Sequence, residues 1–146
     1  MTSVGIVGAG AGAAAAAYVL DGAVGNGSIT VLEKSGGVCG RAATRRRGEC
    51  TYDYGANYVK SEDPRVNELL TDELDAGGLV EAEGPVYTFD RDGAVSEGRD
   101  EDEHKWTYRA GLTQIAKRLF ARTDATVERR TRVERVVRDG ETWRLT

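Results

Sequence analysis

The sequence predicts an α/β fold, a central parallel sheet with helices and a small antiparallel β-hairpin layer. Three observations carry that prediction. The chain opens on a strand, a glycine turn, a helix and a second strand, Val4 to Glu33. Helical spacing of apolar residues returns at Leu112, Ile115, Ala116, Leu119 and Phe120. Alternation follows from Val127, with Asp139-Gly140 placed as a hairpin turn.

The opening unit explains itself residue by residue. Val4, Ile6 and Val7 form the first strand, an alanine-rich run the helix, and Ile29, Val31 and Leu32 the second strand, which ends in Glu33. Between strand and helix stands Gly8-x-Gly10-x-x-Ala13, the form of the dinucleotide fingerprint in which alanine takes the third small position. Gly8 permits the sharp turn, Gly10 lets backbone approach a pyrophosphate, and Ala13 lets the helix lie close on the strand. The helix amides and the positive end of its dipole, at Ala11, Gly12 and Ala13, then face the phosphates. Glu33 follows Ala13 at about 20 residues, where a carboxylate reaches the ribose hydroxyls of an adenosine. Such a carboxylate repels a 2′-phosphate, so the site favours FAD or NAD over NADP. These features make the predicted fold Rossmann-like, of the kind that binds FAD or NAD(P).

Composition narrows the class. At 146 residues the chain is long enough for one domain with a core, read here as residues 1–146. Acids and bases number 24 and 20, a net charge of −4 that disfavours a nucleic-acid or anionic-membrane partner. No apolar run approaches the roughly 20 residues that cross a bilayer, and the start lacks the basic region of a signal peptide, so a cytoplasmic protein is expected. Cys39 and Cys50 have neither CxxC spacing nor a nearby histidine, so no metal site is expected.

Further along, Lys34 to Gly48 reads as a glycine loop, with Gly36, Gly37 and Gly40 able to approach a ligand and Arg41 placed to meet a pyrophosphate charge. Arg45, Arg46 and Arg47 read as a solvated strand face, since no aromatic platform interleaves them. Cys50 to Tyr58 predicts a short strand and tight turn, with Asp53 and Asn57 bonding local backbone. Asp63-Pro64 starts a helix with apolar face Val66, Leu69, Leu70 and Leu74, stopped by Gly77-Gly78. Two strands are expected around Leu79–Ala82 and Val86–Asp90, with Asp92-Gly93 turning the chain before Ala94-Val95. Glu97 to Glu103 reads as a solvated acidic loop, and His104, lacking an identifiable partner, as a loop residue. The closing segment from Thr126 predicts one hairpin, with Val127, Val133, Val136 and Val137 before the turn and Trp143 and Leu145 after it. The chain stops just after the second hairpin strand begins, which predicts an unfinished architecture.

Four stretches together resemble the N-terminal part of FAD-dependent amine oxidases, and within them the renalase-like NAD(P)/FAD-dependent oxidoreductases. They are GAGAGAAAAAYVL with Glu33, GVCGRAATRR, DYGANYVKSEDPRV, and KWTYRAGLTQIAKRL with TRVERVVRDGETWRL. The resemblance implies FAD as cofactor, with Gly8, Gly10, Ala11, Gly12 and Ala13 at the pyrophosphate, Glu33 at the adenosine ribose, and Lys34 next to it among the cofactor-binding residues. It implies Gly40 and Arg41 at the phosphates or ribityl chain, Gly55, Ala56 and Asn57 near the isoalloxazine ring, and Val133 at the adenine. Two departures stand out: Cys39 where the family has glycine, and Asn57 where it has glutamine.

What the resemblance implies chemically is hydride transfer to flavin from a carbon next to nitrogen, with reoxidation by dioxygen. The donor would be an amine or a dihydropyridine-type small molecule. No acid, base or nucleophile stands out as a catalyst, and substrate selection is expected in a second domain outside this stretch. Two other readings stay open: the nucleotide-binding domain of an NAD-dependent dehydrogenase, and an inactive nucleotide-binding fragment.

Overall fold

The computed structural model describes residues 2–25, 27–84, 87–98 and 104–146. In chain order the elements are β1 (Ser3–Val7), α1 (Ala11–Asp21), β2 (Ser28–Glu33), β3 (Thr44–Arg47), β4 (Cys50–Asp53), β5 (Val59–Lys60) and α2 (Pro64–Glu68). There follow β6 (Leu79–Glu81), β7 (Tyr87–Phe89), β8 (Val95–Glu97), β9 (Lys105–Tyr108), α3 (Thr113–Ala121), β10 (Thr126–Arg129), β11 (Val136–Asp139) and β12 (Thr142–Leu145). The chain folds as two compact units, one running to Asn57 and resuming at Ala110, the other Tyr58–Arg109.

The first unit is built on a three-stranded parallel sheet in the order β1-β2-β10. Alternation along β2 turns Ile29, Val31 and Glu33 inward, the even period of a strand placing an acid in line with two core residues. Ala9, Ala17, Ile29 and Val31 form the core, with Val4, Ile6, Phe120 and Val127 packed against it. Ala14 and Ala17 are fully buried, and a helix that presents only methyl groups there can lie close to its neighbours. Burying Ile29 and Val31 stabilises the sheet by about 1.5–3 kcal/mol each. On another face Leu145 of the β11–β12 hairpin lies against Gly5, where a Cβ would come within 3.1 Å of Leu145 Cδ1.

Val127 belongs to this sheet and not to the hairpin: it pairs with Val31 through β10, parallel to β2. Alternation is common to both settings, so period alone could not separate them. The hairpin comprises β11 and β12, pairing Val136 with Leu145 and Asp139 with Thr142. Val133, expected in the hairpin before its turn, lies instead in the connector before β11.

In the second unit β9 is the middle strand of an antiparallel sheet, β5-β9-β6. Trp106 and Tyr108 are thus strand residues, a role their sequence context did not signal. Asp63 caps α2, its Oδ1 accepting from Arg65 N at 3.0 Å, with Pro64 in the first turn as expected. The Arg65 guanidinium, with the same residue's backbone bond, holds the Asp63 carboxyl down at about 2. The helical segment does not run to Gly77. It widens into a π-turn at Leu69–Glu73, and Leu74 is already extended. Leu70 and Leu74 are both buried, and the wider turn lets the chain leave the helix before the glycines.

β7 and β8 form a hairpin around Asp92-Gly93, with Asp90 Oδ1 accepting from Asp92 N and Ala94 N at 2.9 Å each. Val86 and most of the acidic stretch, residues 99–103, lie outside the described residues. His104 is in no regular element but has a partner, Glu81, and its ring stacks on Trp106 at 5.5 Å. Among the described residues no helix is long and apolar enough to cross a membrane.

Candidate cofactor site

The carboxyl ends of β1 and β2 meet at one crevice, and the residues there are tied together by backbone. Gly8 N donates to Leu32 O at 2.8 Å, carrying the β1–β2 ladder one step past the strand. Gly8 then turns the chain at φ +91°, a conformation that favours glycine, and Gly10 opens α1 with φ −69° and ψ 174°. No side chain caps α1, and no acid sits in its first turn. The free amides at Ala11, Gly12 and Ala13 are therefore available to an anion, with the helix dipole behind them. Among the described residues, and apart from its chain neighbours and its own helix, a Cβ built on Gly8, Gly10 or Gly12 would meet nothing within 4 Å. A pyrophosphate fits here on charge, on hydrogen-bond donors and on space.

Glu33 closes the other side. Ala9 N donates to its Oε2 at 2.7 Å and Ser35 N to its Oε1 at 2.6 Å. Burial, at 9% exposure, pushes its carboxyl up, but the bonds from Ala9 and Ser35 and the nearby Lys34 charge outweigh it, and the net shift is downward. Glu33 is therefore an ionised group locked to the glycine turn itself. Ser35 and the Ala9 amide were not among the expected site residues. Ala9 contributes only its backbone, which no side chain marks, while Ser35 contributes both its amide and its hydroxyl to Glu33.

The glycine loop folds back over the turn. Cys39 N donates to Ala9 O at 2.7 Å, and a Cβ on Gly40 would lie 3.4 Å from Gly10 Cα. Cys39 itself is buried and left-handed at φ +81°, a backbone position that glycine adopts more readily. Its side chain fills space beside Leu112, with Sγ 3.8 Å from Leu112 O. Burial pushes the Cys39 thiol up, and the Asp53 charge adds to that against a backbone bond from Ala116.

Arg41 is exposed and follows Gly40 in a short 3-10 turn. Its carbonyl accepts from Ala56 N at 3.2 Å, and Gly55 lies so close to that oxygen that a Cβ there would collide with it. The structure thus joins the GVCGR loop to the Gly55-Ala56 turn, while Asn57 beside them is exposed.

Asp53 does not bond locally, as its turn-like context suggested. It reaches Leu112 N, 3.0 Å from Oδ1 and 3.2 Å from Oδ2, and accepts from Thr44 Oγ1 at 2.5 Å. Thr44 N in turn donates to Thr113 Oγ1 at 2.6 Å. This seam holds the β3–β4 hairpin against the start of α3. Arg45, Arg46 and Arg47 are exposed on β3, with Arg45 lying over the Tyr54 ring at 4.3 Å. Val133 stands apart from these contacts, two residues beyond Thr131, whose N donates to Glu33 O at 2.8 Å.

Comparison with known proteins agrees with this geometry. Residues 6–72 match a family model described as an NAD(P)-binding Rossmann-like domain. No curated protein matches. A crystal structure named as a protoporphyrinogen oxidase from Exiguobacterium sp. 255-15 superposes with a TM-score of 0.73 at 14% identity, over 99% of this chain and 56% of that one. The flavin-dependent halogenase CmlS does so with a TM-score of 0.50 at 18% identity, over 100% of this chain and 28% of that one. Putrescine oxidase bound to putrescine reaches 27% identity and a TM-score of 0.47 over 67% of this chain and 21% of that one. This chain spans a little over half of the first structure and smaller shares of the others. The glycine turn, the acid locked to it and the parallel β1-β2-β10 sheet are those of a Rossmann-like dinucleotide-binding fold.

Proposed function

We propose that this chain is the FAD-binding portion of a flavin-dependent oxidoreductase related to the amine oxidases, renalase-like in its sequence motifs. The observation that carries the reading is the Glu33 carboxylate fixed to Ala9 N beside the uncapped start of α1. One group of residues there grips a diphosphate and another an adenosine. The amides of Ala11, Gly12 and Ala13 would hold the pyrophosphate, with the exposed Arg41 guanidinium adding its charge. Glu33 would accept from the ribose hydroxyls, and the connector carrying Val133 would offer backbone to the adenine.

The Gly55-Ala56 turn, bonded to Arg41 O, would bring backbone to the ring end of the cofactor. FAD when bound supplies two-electron chemistry, here oxidation of a carbon next to nitrogen in an amine or dihydropyridine with dioxygen as final acceptor. This chain's part is to bind and orient, and none of its described side chains is assigned to the reacting atoms. A cytoplasmic setting belongs to the same reading and fits two cysteines present as free thiols, Cys39 and Cys50.

Purification tests it directly. Protein that carries or takes up FAD, with flavin absorbance bands and saturable binding, supports the reading. Colourless protein that binds NAD and not FAD, or neither, overturns it. Glu33→Ala should weaken FAD binding by about 1–3 kcal/mol, since a buried hydrogen bond to a charged group is lost. Unchanged affinity in a titration would show that the acid does not meet the ribose.

A further inference from the structure

Away from the dinucleotide crevice, the first unit contains a second cleft of about 460 Å³ between the 36–38 loop, β3, α3 and β10. Its walls are same-face residues of three elements. Thr44 and Arg46 are two apart on β3, Val127 and Arg129 two apart on β10, and Gln114 and Lys117 three apart on α3. Each element thus contributes one cation, and among the described residues no carboxylate lines the cleft. A hollow that shares Gly36, Val127 and Arg129 with the cleft adds Arg130. In a chain of net charge −4, a wall of one sign is a local arrangement and not a reflection of composition.

Beneath the cations the lining is apolar, with Val38, Phe120 and Val127 partly buried against the core. An apolar floor with a few convergent polar groups, in a volume within the range of about 300–1,000 Å³, is the anatomy of a small-molecule site. Arg129 is already oriented, its Nη1 3.5 Å from Gly36 O, while Arg46 and Lys117 are exposed. Three like charges around one depression repel each other until an anion neutralises them.

We infer that this cleft binds a small organic dianion with an apolar body, of the phosphate monoester type. The anionic head rests among Arg46, Lys117 and Arg129, and the body lies on Phe120 and Val127. The cleft's lining includes none of Gly8 to Ala13 and not Glu33, although the glycine loop borders both places and Arg129 pairs with Glu33 across β2 and β10.

Phenyl phosphate is the probe, followed through assigned backbone amide resonances of the full chain. Saturable shifts at Gly36, Gly37, Gln114 and Lys117 in the millimolar range are expected, with benzyl alcohol producing none and the amides of Gly8 to Ala13 unmoved. The Arg46→Gln/Lys117→Gln double variant should bind on the order of tenfold more weakly or less tightly still, the loss of charge-assisted hydrogen bonds. Should that variant not fold, raising sodium chloride from about 50 to 500 mM on the natural chain must weaken binding, because exposed charges are screened. No saturable shift, shifts confined to Gly8–Ala13, or affinity indifferent to both the substitutions and salt would overturn the inference.

Discussion

Glycines at the crevice do the opposite job to the two at the ends of the seam, Gly55 just past β4 against the glycine loop and Gly111 just before α3 against Thr44. At the crevice, a Cβ on Gly10 or Gly12 would meet, among the described residues and apart from its chain neighbours and its own helix, no atom within 4 Å. At the seam, a Cβ on Gly55 would collide with Arg41 O, and one on Gly111 with the Thr44 side chain. Gly111 is also at φ +88°, which a side chain rarely adopts. The protein's own packing therefore explains the seam glycines, whereas at the crevice pair it leaves open the space that an approaching pyrophosphate would need. A glycine in the sequence carries no mark of which kind it is.

Substitution separates the two kinds. The largest effect belongs to the seam: Gly55→Ala and Gly111→Ala should each destabilise by roughly 3 kcal/mol, since backbone or a pinned side chain must move. Urea midpoints within about 0.5 kcal/mol of the natural chain's stability would show that the seam yields easily and would erase the contrast. Next comes Gly10→Ala, with φ −69° compatible with any residue. Its stability should stay within about 0.5 kcal/mol while FAD affinity falls about tenfold or more, as a methyl group holds the pyrophosphate off the backbone. Equal losses of stability and affinity would make Gly10 a packing glycine after all.

A smaller effect tests the acid that ties the crevice together. The folded Glu33 carboxyl lies below its ordinary value, so the unfolded chain binds its proton more readily. Its contribution to stability is fully present at neutral pH and is lost as pH falls through the ordinary carboxylate range toward the folded value. Urea unfolding at pH 7 and at about pH 4 should show less acid destabilisation in Glu33→Gln than in the natural chain. Parallel pH curves for the two would mean that the bonds from Ala9 and Ser35 contribute nothing to folding. Smallest of all, Gly12→Ala should stabilise the protein by about 0.5 kcal/mol, since alanine is the better helix former and space is open there. A thermal midpoint below that of the natural chain would point to a contact at Gly12 that the crevice geometry does not contain.

Legibility followed the range of the interaction. Gly8, Gly10, Ala13 and Glu33 stand within one β1-α1-β2 unit, and their arrangement follows from strand and helix periods over some thirty residues. Asp63-Pro64 and Asp90 to Ala94 were equally readable, because a cap and a tight turn are made of neighbours. Val127 was misplaced since an alternating strand reads alike in a hairpin and in a parallel sheet. The π-turn at Leu69–Glu73 was missed because it serves the burial of Leu70 and Leu74, which the apolar spacing alone places equally well on a regular helix.

From its sequence alone this protein had its opening strand, helix and second strand, its fingerprint turn and the acid opposite that turn, all set by steric rules acting between residues close in the chain. Tertiary structure decided who meets whom across distance: Asp53 with Leu112, Cys39 with Ala9, Gly55 with Arg41, and three basic residues around one cleft. Those partners are chosen by how whole elements pack. In each bond at least one partner is a backbone group of a kind nearly every residue carries, so the spacing of side chains along the sequence does not announce the pair.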